Sequence, residues 1–247
     1  MGFFSNLFGR GEKSPVKPPS FASKDEFFIP NKKEFLVWDS VKSLENLRNI
    51  SEGIITYNTS NKTVRCHGVV SGDKLPKPKN SQDEKAVAIR IDLQGWSFEG
   101  FIFDAIPGGL IVLSRYNDFN KCTWVNIGED AISTPRSTSA SKPDQARLLI
   151  RNCKFYNDND GDKSVQLNNA SQCSIRDSFF TGGETAIRVQ ANDDRKPIYM
   201  DITGCEFNNV PTAINAAGVT VLEMKDNKYI DVSKKLVKSS GSKIRVI

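Results

Sequence analysis

Five residues of this 247-residue chain have types and spacing suited to work on an acidic sugar: Glu129, Asp130, Lys163, Gln166 and Arg188. Their spacing is counted from an aromatic residue that recurs at Phe103, Trp124, Phe155, Phe180, Phe207 and Tyr229. A short strand is expected to begin five to eight residues after each aromatic, opening on Gly109, Asp130, Lys163, Thr185, Thr212 and Lys235. Three positions further on stand Val112, Ser133, Gln166, Arg188, Asn215 and Lys238. If these columns stack, Asp130, Lys163 and Arg188 project from one face of three consecutive coils, with Glu129 beside Asp130. Adjacent carboxylates suit a hard cation such as Ca2+, bound through oxygen ligands. A lysine or arginine beside a metal-bound sugar carboxylate suits removal of an α-proton or stabilisation of the charge that follows. Ser133, Gln166 and Asn215 add the hydroxyl and amides expected of a substrate-binding row. Opposite charges on neighbouring rungs also stabilise a solenoid surface modestly without any ligand.

The elements that position these residues are read from a repeated phrase. It runs Gly100-Phe101-Ile102-Phe103, Lys121-Cys122-Thr123-Trp124, Asn152-Cys153-Lys154-Phe155, Asp177-Ser178-Phe179-Phe180, Gly204-Cys205-Glu206-Phe207 and Asp226-Asn227-Lys228-Tyr229. Each copy follows a short alternating segment such as Leu148-Leu149-Ile150 or Cys173-Ser174-Ile175. Successive aromatics lie 21, 31, 25, 27 and 22 residues apart. Such a period is that of a solenoid whose turns are coils of short strands, with variable insertions at the corners. The expected fold is all-β, a single right-handed parallel β-helix. No helical pattern of ten residues alternates with the strands, which argues against a doubly wound sheet.

The segment Thr123-Trp124-Val125-Asn126-Ile127-Gly128-Glu129-Asp130-Ala131 resembles the tryptophan, glycine and Glu-Asp-Ala signature of the small pectate lyases of polysaccharide lyase family three. Asp162-Lys163-Ser164-Val165-Gln166 is similar to that family's Asp-Lys-Val-x-Gln stretch, and Arg188 falls near its catalytic-region arginine. The resemblance covers residues 98 to 190. It implies a pectate-lyase-like β-helix, Ca2+ and β-elimination of polygalacturonate. By that likeness Glu129 and Asp130 are Ca2+ ligands, and Lys163 and Arg188 bind substrate and abstract the proton. Gly109 stands where the family places its first calcium-binding aspartate, and Thr185, or Glu184 if the turn is shifted, where it places a lysine.

Three cysteines, Cys122, Cys153 and Cys205, share one column with Phe101, Ser178 and Asn227, which predicts a buried core ladder of free thiols. Cys66 and Cys173 fall outside it. Neither a C-x-x-C pair nor a Cys/His cluster points to zinc, and His67 is the single histidine. A net charge of +5 permits attraction to an acidic polymer. No specific nucleic-acid signal accompanies it, and the densest basic stretch, Lys234 to Arg245, reads as a charged end of the last coil.

The N-terminal part is organised differently. Residues 1–32 read as an apolar peptide followed by a Pro- and Lys-containing linker, 33–51 as a capping-helix region and 52–247 as the β-helix. Phe3, Phe4, Leu7 and Phe8 lie at helical spacing and suit docking onto a protein assembly or a membrane surface. Phe35, Trp38, Val41, Leu44, Leu47 and Ile50 are three apart, which predicts an amphipathic helix over the open end of the solenoid, with Ser40 or Ser43 as its cap. The opening residues lack the pattern of a classical signal peptide. Synthesis in the cytoplasm is therefore expected, followed by incorporation in a larger assembly or export by a non-classical route. Two functions follow. One is a protein directed at an acidic polysaccharide, a lyase if it turns over and otherwise a binder. The other is a non-enzymatic structural or adaptor β-helix of a virion, secretion machine or scaffold, docked through its Phe-rich peptide.

Overall fold

In the computed structural model the chain winds into a parallel β-solenoid of about five turns. The structure describes residues 21–22, 34–45, 47–75, 87–112, 116–134, 147–157, 163–168, 172–190, 198–216, 220–238 and 242–246. The Phe-rich peptide and its linker lie outside them. Among the described residues, no helix is long and apolar enough to cross a membrane.

Each complete coil carries three strands, so the solenoid has three faces. The first face stacks Asn117–Asn120, Arg147–Arg151, Gln172–Arg176, Ile198–Thr203, Thr220–Lys225 and Lys243–Val246. The second stacks Thr123–Val125, Lys154–Asn157, Phe179–Gly182, Glu206–Asn208 and Lys228–Ile230. The third stacks Leu110–Val112, Ile132–Ser133, Lys163–Asn168, Thr185–Gln190, Thr212–Ala216 and Lys234–Lys238. Every contact between coils in these stacks is parallel and in register.

The corner between the first and second faces explains the repeated phrase. Two residues make the bend, and the first takes left-handed backbone: Lys121, Asn152, Asp177, Gly204 and Asp226 have φ of 55°, 54°, 48°, 67° and 54°. Asn, Asp and Gly tolerate that region best. The second residue turns inward, giving the column of Phe101, Cys122, Cys153, Ser178, Cys205 and Asn227. These side chains serve the corner backbone as well as the core. Cys153 Sγ donates to the carbonyls of Phe119 and Arg151, both at 3.3 Å. Ser178 Oγ donates to Arg176 O at 2.8 Å and accepts from Cys153 N at 3.1 Å. Asn227 repeats the arrangement with Ile202 O and Cys205 N, both at 2.9 Å. Thiol, hydroxyl and amide therefore share one column because each can donate to a backbone carbonyl beside the bend; Arg151 O and Arg176 O accept such a bond in addition to one from the left-handed residue of the neighbouring coil.

Two residues further on, the aromatic rings stack along the axis. Centroids lie 5.4 Å apart from Phe103 to Trp124, then 4.6, 4.7, 5.1 and 5.3 Å through Phe155, Phe180 and Phe207 to Tyr229. Near-parallel planes at the rung spacing are what in-register parallel strands impose on identical rotamers.

The N-terminal end differs from the single helix predicted over 33–50. Glu34–Trp38 is a strand, parallel to Val87–Ile91 on the third face. Leu36 and Trp38 alternate into the core, so ladder pairing overrides the three-residue spacing. Helix is confined to Val41–Leu44 and Leu47–Ile50. Ser40 is its N-cap, reciprocated by Ser43, and Leu44, Leu47 and Ile50 are buried against the first coil. An antiparallel hairpin, Ser51–Asn58 with Thr63–Ser71, completes the end by pairing in parallel with Ser97–Asp104.

Candidate functional site

The third face carries the predicted residues, and its register decides which of them meet. Ser133, Gln166, Arg188 and Asn215 occupy one row across four coils, facing away from Val165, Ile187 and Ile214. At about 4.8 Å per coil the row spans about 14 Å. The register moves its ends by one residue from the sequence count: Ile111 and Val237 continue it, instead of Val112 and Lys238.

Lys163 does not join that row. It opens its strand opposite Thr185, three residues before Gln166, and residues three apart on a strand fall on opposite sides. Its ammonium is 3.8 Å from Asp130 Oδ1, and its side chain is only 4% exposed. The structure thus brings Asp130 and Lys163 together at the corner and sets Arg188 apart from both. Lys234, in place of Lys235, ends this second row opposite Thr212.

Gly109 has a structural reason of its own. Its φ is +66°, and a Cβ there would sit 1.8 Å from the carbonyl oxygen of Asp130. The 107–109 turn stacks so closely beneath 128–130 that no side chain fits, an aspartate included. Glu129 and Asp130 therefore lack a carboxylate from the coil below at that position. Among the described residues no three His, Cys, Asp or Glu side chains converge as a cation site. A Ca2+ ion needs six to eight oxygens, whereas Asp130 already faces an ammonium. As arranged, the pair does not fit that ion.

The outward row is polar and its hydrogen bonding is incomplete. Gln166 Nε2 donates to Asn168 Oδ1 and to Gln190 Oε1, both at 3.3 Å. Asn168 is in turn clamped to Thr134, accepting through its carbonyl and donating from its backbone N at 2.8 Å. Arg188 is different: no hydrogen bond or ion pair joins its side chain to another residue, and its Nε is buried. One coil on, Asn215 Oδ1 is also buried and without a partner. A guanidinium and an amide oxygen that lack partners in adjacent rungs are costly unless a ligand or water completes them. Asn168 and Gln190 were not singled out from the sequence. The signal was present, since each stands two residues after a row member and so shares its side of the strand.

The thiols are unsuited to nucleophilic work. All five cysteines are free and buried. Burial pushes the Cys66 thiol up to about 11 and that of Cys205 to about 12. It raises Cys122 and Cys173 as well.

No protein-family model matches the sequence. No curated protein matches it either.

Proposed function

We propose that the third face binds an acidic polysaccharide, with Arg188 meeting a sugar carboxylate and Ser133, Gln166 and Asn215 meeting hydroxyls. The observation that carries this reading is the arginine without a counter-charge in a row of amides. Guanidinium pairs bidentately with carboxylate, and the amide row offers both donors and acceptors. The likeness of residues 98 to 190 to the small pectate lyases of polysaccharide lyase family three supports the same class of polymer. The activity proposed is binding without cleavage. Lys163, the candidate base, is buried in an ion pair, and a proton acceptor must reach the atom it deprotonates.

Affinity electrophoresis through gels containing polygalacturonate, alginate or hyaluronan tests this. The parent protein is expected to be retarded by at least one of them, less so as salt increases. Arg188→Ala is expected to run free with its melting temperature unchanged. Absorbance in the unsaturated-uronide band should stay flat with Ca2+ and with chelator. Equal mobility of parent and variant in every acidic gel refutes the binding reading. A Ca2+-dependent rise in absorbance refutes the absence of cleavage.

A further inference from the structure

The first face holds a second feature, a groove of about 660 Å3 on its outer side. Two rows of side chains line it. Tyr116, Arg147, Gln172, Tyr199 and Val221 form one, and Asp118, Leu149, Ser174, Asp201 and Glu223 form the other.

The carboxylates along it are each paired with an arginine. Arg151 holds Asp118 at 2.7 Å, Arg176 holds Asp201 at 3.3 Å and Arg245 lies 3.9 Å from Glu223. Arg147 lies over the Tyr116 ring, 4.9 Å from its centroid, and hydrogen-bonds its hydroxyl. Two groups remain unengaged. Tyr199 is 48% exposed, and among the described residues its hydroxyl has no hydrogen-bond partner and its ring stacks on no other ring. Gln172, beside it in register, has no side-chain partner either.

These features select a ligand chemistry. An exposed ring with Leu149 and Val221 near it needs an apolar surface to cover it, yet the rim needs a ligand rich in hydroxyls. Each carboxylate of the row is paired with an arginine, so the groove sets up no strong field that would select an ion of either sign. The groove has the volume of a small-ligand site. We propose that it binds a neutral saccharide, with one sugar face against Tyr199 and hydroxyls bonded by Gln172, Ser174 and Asp201. It lies on a different face from Arg188, and the proposal stands without the acidic-polymer reading.

Affinity electrophoresis through gels of galactomannan, hydroxyethylcellulose, dextran or glycogen is the test. Retardation is expected in at least one neutral gel, about tenfold weaker in Tyr199→Ala, since loss of one stacking ring costs roughly one decade of affinity. Arg188→Ala is expected to keep this retardation, which separates the two sites. Because Tyr199 is half exposed and packs on no other ring, Tyr199→Ala should melt with the parent. The proposal is overturned by free migration in all four neutral gels. It is equally overturned if Tyr199→Ala and Gln172→Ala are both retarded as strongly as the parent.

Discussion

Lys163 and Arg188 were drawn from one pattern, and the fold gives them opposite energetics. Removing Lys163 leaves the Asp130 carboxylate facing a buried corner without its ammonium, so Lys163→Ala is expected to cost about 3 kcal/mol, the lower end for a broken buried pair. Arg188 loses no partner on truncation, and Arg188→Ala should stay within about 1 kcal/mol of the parent in urea unfolding. A reversed order would refute the assignment of Lys163 to structure and Arg188 to binding. The thiols give a second prediction at this scale. Below an unfolded thiol pKa of about 8.5, both states hold their protons and stability is independent of these groups. Above it the unfolded chain ionises first, and stability falls until the folded thiols follow, at about 11 for Cys66 and about 12 for Cys205. The urea midpoint should therefore be level up to about pH 8.5 and decline above it, with a shallower decline in Cys205→Ser. Native protein at pH 8 should resist an aromatic disulfide reagent that titrates all five thiols in urea.

The corner between the first two faces is the element that fixes the coil. Its left-handed position accepts Asn, Asp or Gly readily and a β-branched residue poorly. Asn152→Gly should leave stability within about 0.5 kcal/mol, whereas Asn152→Val should cost about 2 kcal/mol. Equal stability of the two variants would mean that the bend relaxes. The corner was also the most legible element in the sequence, because one turn residue, one small inward residue and one aromatic recur at a nearly fixed offset. The rows of the third face were legible at the centre and lost at the ends. Counting from the aromatic placed Asp130 with Lys163, and Ser133 with Gln166, Arg188 and Asn215, but slipped by one at Gly109, Val112, Lys235 and Lys238. The turn between second and third faces varies in length, and no residue type marks its register. The capping helix expected before the solenoid forms at Val41–Leu44 and Leu47–Ile50, and only Glu34–Trp38 misled: apolar residues three apart suit a helix, while alternation at Leu36 and Trp38 suits a strand. Pairing with Val87–Ile91 decides between them, and no local window contains it. The groove on the first face escaped sequence reading altogether. Tyr116, Arg147, Gln172 and Tyr199 are far apart in the chain, and only the stacking of coils assembles them.

The whole molecule is close to one-dimensional, each coil resting only on its neighbours. Local stability should then follow position along the axis. Phe155, Phe180 and the residues beside them are sealed on both sides, whereas Tyr229, Leu236 and Ile244 of the last coil are only partly buried. Hydrogen exchange is expected to be slowest in the strands Arg147–Arg151, Lys154–Asn157, Lys163–Asn168, Gln172–Arg176 and Thr185–Gln190, and fastest at Lys228–Ile230 and Lys243–Val246. Uniform protection along the axis would show a more cooperative body than stacked coils imply. The column of rings has a further consequence. Residues per coil range from 21 to 31, yet each coil advances the ring by one step of about 4.8 Å, so five steps from Phe103 to Tyr229 cover about 24 Å. The molecule is thus a ruler graduated in coils rather than residues. Lengthening a corner changes what its surface displays without moving any graduation, and duplicating a coil would shift everything beyond it by one fixed increment.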